Sequence, residues 1–152
     1  ELWLAGDGPD RVALEQSARD LGLVEQVRFL GMIAPDGVPR LFSEIDVVVV
    51  ASHYETFGLA AAEALMAGVP VIATRCGGPE HIVDAEDGLI VQVRDPSALA
   101  HAMRQIGENL SAYDSERLMA RARARFSADA IATRLTEAYE MATARHSLSS
   151  GH

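Results

Sequence analysis

The sequence predicts an α/β fold built on a doubly wound parallel sheet, and three observations carry that reading. Short apolar runs alternate with segments of helical periodicity, the pattern of a parallel sheet packed between helices. Glycines and prolines stand mostly at the junctions between these segments, where helices start and stop. No Pro/Gly/Ser-rich linker divides the 152 residues, a length that suits one domain with a sizeable core.

Taken in order, Leu2-Trp3-Leu4-Ala5 reads as a strand ending in the turn Gly6-Asp7-Gly8-Pro9. A helix follows from Pro9 to Leu21, with proline at its first position and Gly22 at its stop. Val27-Arg28-Phe29-Leu30 is the second strand, ended by Gly31. Pro39 opens a short helix through Ile45, and Asp46 to Ala51 reads as a buried strand. Leu59 to Ala67 is a helix stopped by Gly68, and Val69 to Thr74 is the fourth strand. The loop Arg75-Cys76-Gly77-Gly78-Pro79 leads to a helical turn, Glu80 to Val83, and then to the strand Gly88-Leu89-Ile90-Val91. Asp95-Pro96 is a cap followed by a first-turn proline for a helix to about Ile106. Two more helices are expected, Ala112 to Arg125 and, capped by Ser127, one to about Arg145. In this reading residues 1–146 form one domain and residues 147–152 a disordered tail.

Composition narrows the function. A net charge of −9 argues against general nucleic-acid binding, which needs a basic face. All thirteen basic residues are Arg, so neither a Schiff-base lysine nor a phosphate-loop lysine is present. No apolar run is long enough to span a bilayer. Cys76 is alone, which excludes an internal disulfide framework and suits a reducing, cytoplasmic setting.

The chemistry concentrates in Ser52-His53-Tyr54-Glu55-Thr56-Phe57-Gly58-Leu59-Ala60-Ala61-Ala62-Glu63, where a strand passes through a tight loop into a helix. Glu55 and Glu63 are eight positions apart, but twelve Glu residues make one such pair expected by chance, and Glu108/Glu116 is a second. Context separates the two pairs. Glu55 lies at the C-terminal end of a strand, where ligands bind open α/β sheets. Glu63 lies early in the next helix, and its side chain leans back toward the same point. The backbone N–H groups of Phe57, Gly58 and Leu59 begin that helix and can hold a phosphate. Gly58 lets an oxygen approach the backbone closely, and a carboxylate can accept from both vicinal hydroxyls of a ribose.

Together with Ala64-Leu65-Met66-Ala67-Gly68-Val69-Pro70-Val71-Ile72-Ala73-Thr74, this segment resembles the retaining glycosyltransferases of the GT-B fold, the glycosyl transferases group one class. The likeness extends to Leu4-Ala5-Gly6-Asp7-Gly8-Pro9, Val27-Arg28-Phe29-Leu30-Gly31, Gly77-Gly78-Pro79-Glu80, and Gly88-Leu89-Ile90-Val91 with Asp95-Pro96. It runs in register over about residues 2 to 142. The resemblance implies a Rossmann-like domain, the C-terminal, donor-binding half of the enzyme, lacking its first strand–helix unit. It implies transfer of a hexose from a nucleotide diphosphate sugar to an acceptor hydroxyl, with no metal and no further cofactor. It gives Glu55 the hydroxyls of the donor sugar as the catalytic contact and Glu63 the ribose. Thr56, Phe57, Gly58 and Leu59 would hold diphosphate and sugar, Met32 and Ile33 would lie near the nucleobase, and Gly77 and Gly78 would let the sugar approach.

The departures are equally specific. In the class, an Arg and a Lys that clamp the diphosphate precede the point where this sequence opens, as does an N-terminal, acceptor-binding domain with a catalytic His. That domain is therefore an expected partner, and the chain alone is expected to be inactive. The absent strand would belong mid-sheet, so exposed edges are expected to pair within the chain or between copies, giving a homo-oligomer.

Other features weigh less. Gly6-Asp7-Gly8-Pro9-Asp10-Arg11 approaches a dinucleotide fingerprint but has Arg11 for its third glycine and Pro9 in place of an N–H donor. His53 and His81 have no partners at metal-ligand spacing, Cys76 reads as a small buried hydrophobe, and Arg75 as solvent-exposed. Arg117, Arg121, Arg123 and Arg125 read as a solvated helix face, with peripheral contact to an anionic membrane as a secondary reading. Two alternative functions stay open, a nucleotide-sugar epimerase of the same fold and a non-catalytic nucleotide-binding module. A receiver-type signalling domain is set aside, since Asp46 begins its strand and lysine is absent.

Overall fold

The structure, a computed structural model, describes residues 1–149. Five parallel strands alternate with helices as expected: β1 Leu2–Ala5, α1 Arg11–Asp20, β2 Val27–Gly31, α2 Val38–Ser43, β3 Val48–Val50, α3 Leu59–Met66, β4 Val71–Thr74, β5 Gly88–Val91, α4 Pro96–Glu108, α5 Ser115–Phe126 and α6 Ala128–Ser149. The strands pair as two sheets, β1-β2 and β3-β4-β5, and the chain divides into two compact units, Glu1–Leu41 and Phe42–His152. The sequence reading gave one domain.

In the first unit β1 and β2 run parallel, with Leu2 opposite Val27 and Leu4 opposite Phe29. The ladder shifts register after Leu4, and the Gly6 amide donates to the Gly31 carbonyl at 2.7 Å. Helix α1 begins at Arg11, two residues later than Pro9 suggested. The reason is local: Asp7 Oδ1 accepts from the Gly8 amide at 2.8 Å and the Arg11 amide donates to Gly8 O at 3.2 Å. These bonds keep Pro9 and Asp10 in a turn. The first bond of the helical i→i−4 kind runs from Leu14 to Asp10.

In the second unit β4 is central and buried along its whole length. Alternation along it sends Val71 and Ala73 to one face and Ile72 to the other. The first face packs on Ala61, Ala64 and Leu65 of α3 and Leu118 and Ala122 of α5. The second packs on Ala102 and Ile106 of α4. Helices thus cover both faces, which is the doubly wound arrangement the sequence predicted.

Strand β3 is shorter than the expected Asp46–Ala51 and only partly buried, because it pairs with β4 along one side and takes an outer place in its sheet. Helix α3 stops where Gly68 adopts φ +81°, and a Cβ there would lie 2.0 Å from Ser115 Oγ. The Asp95 side chain caps α4 through the Ala98 amide at 2.9 Å, and Ser127 caps α6 through the Ala130 amide at 3.2 Å. Of the expected disordered tail, residues 147–149 form the end of α6, and residues 150–152 lie outside the described residues.

Candidate functional site

At the C-terminal ends of β3 and β4, two loops are laced together. The Glu55 amide donates to the Cys76 carbonyl at 3.1 Å, and the Gly78 amide donates to the Glu55 carbonyl at 2.6 Å. These bonds continue the parallel pairing of β3 and β4 beyond the strands, as a bridge between Glu55 and Gly77. The Thr74 hydroxyl donates to the Ser52 carbonyl and fixes the root of the first loop. The ordinary rigidity of a sheet is thereby extended to the loop that carries Glu55.

Gly58 then turns the chain into α3. It adopts the left-handed conformation, φ 93° and ψ 48°, and is buried against Pro79, whose Cγ would lie 3.1 Å from a Cβ at position 58. Its carbonyl accepts from Ala61 and Ala62 at 3.0 and 3.1 Å. The amides of Leu59 and Ala60 therefore fall at the open end of the helix, where no helical acceptor precedes them. They supply N–H donors and the positive end of the helix dipole at one point. Glu63 is exposed further along α3, Glu55 is partly buried in the loop, and Thr56, Phe57 and Leu59 are exposed.

The second unit thus brings Glu55, Thr56, Phe57, Gly58, Leu59, Glu63, Gly77 and Gly78 onto two linked loops and one helix start. Met32 and Ile33 lie in the first unit directly after β2, the former exposed and the latter partly buried. The glycine pair packs closely against the first loop. A Cβ at Gly78 would sit 2.2 Å from the Phe57 carbonyl carbon and oxygen, and one at Gly77 would sit 2.8 Å from Glu55 O. Their lack of side chains lets the two loops meet.

His53, His81 and Arg75 are exposed, and Cys76 is buried, all as read. Among the described residues no group of three or more His, Cys, Asp and Glu is placed to hold a metal. No helix among them is long and apolar enough to cross a membrane. A cavity of about 350 Å³ lies at the opposite end of β3 and β4, lined among others by Ile45, Asp46, Gly68, Pro70 and Tyr113, and it includes none of the residues above.

Of the arginines of α5, Arg117 and Arg123 are exposed, whereas Arg121 and Arg125 are partly buried against acidic residues. Arg121 Nε donates to Asp87 Oδ1 at 2.9 Å, and Arg125 Nη1 to Asp87 Oδ2 at 3.1 Å. Both also reach Asp84 Oδ2 at 3.1 Å, and Arg117 and Arg121 pair with Glu86. The hydrogen bond to Asp87 holds the Arg121 guanidinium above its ordinary range. The charge of Arg117, Arg121 and Arg125 is matched by Asp84, Glu86 and Asp87 within the protein.

Two features escaped the sequence reading. Asp87 is the anchor of this network, at 1% exposure, and Glu80 keeps Oε2 buried with no hydrogen-bond partner among the described residues. Gly77-Gly78-Pro79-Glu80 was visible as a motif, but nothing in it signals that a carboxylate oxygen would be buried.

The sequence profile described as Glycosyl transferases group 1 matches residues 1–109. The lipopolysaccharide core biosynthesis glycosyltransferase LpsD of Rhizobium meliloti (strain 1021) is 40% identical over 145 residues, covering 91% of this chain and 39% of that protein. Sucrose-phosphate synthase from Thermosynechococcus elongatus superposes with a TM-score of 0.80 at 32% identity, covering 95% of this chain and 39% of the other. Anabaena Alr3699/HepE in complex with UDP superposes with a TM-score of 0.79 at 28% identity, covering 91% and 40%. The chain spans less than two fifths of the length of the curated relatives it matches.

Proposed function

The chain belongs to the glycosyl transferases group 1 family, and from that membership we propose that it is the donor-binding part of a retaining hexosyltransferase. The donor in this reading is a nucleotide diphosphate sugar and the acceptor a hydroxyl. The observation that carries it is the left-handed Gly58 opening α3 after the loop that follows β3, with the donors of Leu59 and Ala60 at the helix start and Glu55 and Glu63 on either side in sequence. The likeness to a protein crystallised with UDP supports a nucleotide at such a site.

Each residue then has a task. The amides from Phe57 to Leu59, with Thr56, bind the diphosphate, which gains from the helix dipole. Glu63 accepts from the ribose hydroxyls. Glu55 accepts from hydroxyls of the transferred hexose and orients its anomeric carbon. No enzyme nucleophile is assigned, and the leaving phosphate takes the acceptor's proton while the fixed N–H groups stabilise its charge. The diphosphate is bound in this reading without a metal ion. A cytoplasmic setting belongs to this reading, and the unpaired Cys76 is compatible with it.

Calorimetric titration with UDP, GDP and ADP tests the assignment. Glu63→Ala should abolish binding of the preferred nucleotide, and an affinity equal to wild type would sink the ribose role. Glu55→Gln should leave nucleotide binding near wild type and weaken binding of the nucleotide sugar.

A further inference from the structure

Phe57 sits in the middle of the donor loop with half its surface exposed, yet its ring has a defined partner. It meets Phe126, the last residue of α5, edge to face, with centroids 6.4 Å apart and planes at 85°. The Arg125 guanidinium lies over the Phe126 ring at 4.8 Å. Arg125 is itself fixed by three acceptors: Asp87 Oδ2 and Asp84 Oδ2, both at 3.1 Å, and the His81 carbonyl at 2.9 Å. Behind it Asp87 is buried and accepts further from Arg121 and from the Asp84 amide at 3.2 Å. An unbroken series of contacts thus joins a buried carboxylate to the loop that carries Glu55 and Gly58.

We propose that Phe126 is a positioning residue for donor binding: backed by Arg125 and Asp87, it holds Phe57, and through Phe57 the Glu55–Gly58 backbone, in the shape that receives the nucleotide diphosphate. This rests on the donor-binding reading above. Edge-to-face geometry constrains the Phe57 ring in a way that apolar bulk alone does not, because the positive ring edge seeks the negative ring face. The Glu55 amide and carbonyl bonds fix one end of the loop, and the start of α3 fixes the other. Phe57 lies between these ends, and Phe126 supplies an anchor there.

The test compares Phe126→Leu, which keeps apolar volume, with Phe126→Tyr, which keeps the ring. Both are measured for UDP affinity by calorimetry, for hydrogen exchange at the Gly78 amide without nucleotide, and for thermal midpoint. Phe126→Leu should weaken UDP binding about three- to tenfold, the range an aromatic pair supports, and speed Gly78 exchange. Phe126→Tyr should restore both, and Phe126→Leu combined with Phe57→Leu should cost no more affinity than either alone. Wild-type affinity and exchange in Phe126→Leu, or additive losses in the double variant, would overturn the proposal. So would equal losses in the Leu and Tyr variants that follow the thermal midpoint. If wild type bound no nucleotide, the donor-binding reading would fall, while the exchange data would still decide whether Phe126 holds the loop.

Discussion

The amide of Gly78 donates to the carbonyl of Glu55 at 2.6 Å, so the loop after β4 holds the residue assigned to the donor sugar by its backbone. A methyl group at position 78 would meet the Phe57 carbonyl at 2.2 Å, a backbone contact that no rotamer change relieves. Gly78→Ala must therefore push the loops apart. We expect a loss of about 1–3 kcal/mol in urea denaturation, the usual cost of overpacking, together with at least a tenfold loss of nucleotide affinity. Wild-type behaviour in both assays would show that the loop contact does not shape the site.

A second glycine test separates conformation from space. Gly58→Ala must adopt a left-handed backbone at φ 93° and press on Pro79. The left-handed geometry alone costs about 1–2 kcal/mol. Gly8→Ala is its control, because Gly8 has no positive φ and nothing within 4 Å of an added Cβ. The control should stay within about 0.5 kcal/mol of wild type. Equal effects at the two positions would contradict the assigned role of the Gly58 turn.

Asp87→Asn removes a buried charge that two arginines share. Breaking a fully buried pair costs about 3–5 kcal/mol, but Arg121 and Arg125 keep some solvent exposure and retain Asp84, so about 2–3 kcal/mol is expected here. Glu86→Gln, at an exposed pair, should change stability by less than about 1 kcal/mol. Denaturation midpoints of the two variants check the ranking, and a larger effect from Glu86 would refute it.

The tests at Gly78 and Asp87 fall where the sequence was least legible. Strands β1 and β5 and helix α3 were read directly, because apolar runs bounded by Gly6, Gly58, Gly68 and Gly88 leave little choice of boundary. The strand–loop–helix placement of Glu55, Gly58 and Glu63 was legible for the same reason. Asp87 was not, since its arginine partners lie 34 and 38 positions away on a helix whose docking no local pattern announces. A run of Arg at helical spacing shows one face but not what lies opposite it. The glycine pair was found, yet its packing role depended on Glu55 and Phe57, which only the folded loops bring near.

Alkaline pH gives the last test. Burial pushes the Tyr113 phenol above its ordinary range, so the folded chain favours the neutral form more than the unfolded chain does. Its contribution is therefore full below the unfolded value, about pH 10, and is lost as pH rises from there toward the folded value. Urea denaturation of wild type and Tyr113→Phe at pH 8.5 and pH 11 should show a smaller alkaline loss in the variant, which has no phenol to ionise. Equal losses in the two proteins would mean that Tyr113 ionises no less readily in the folded chain than in the unfolded one.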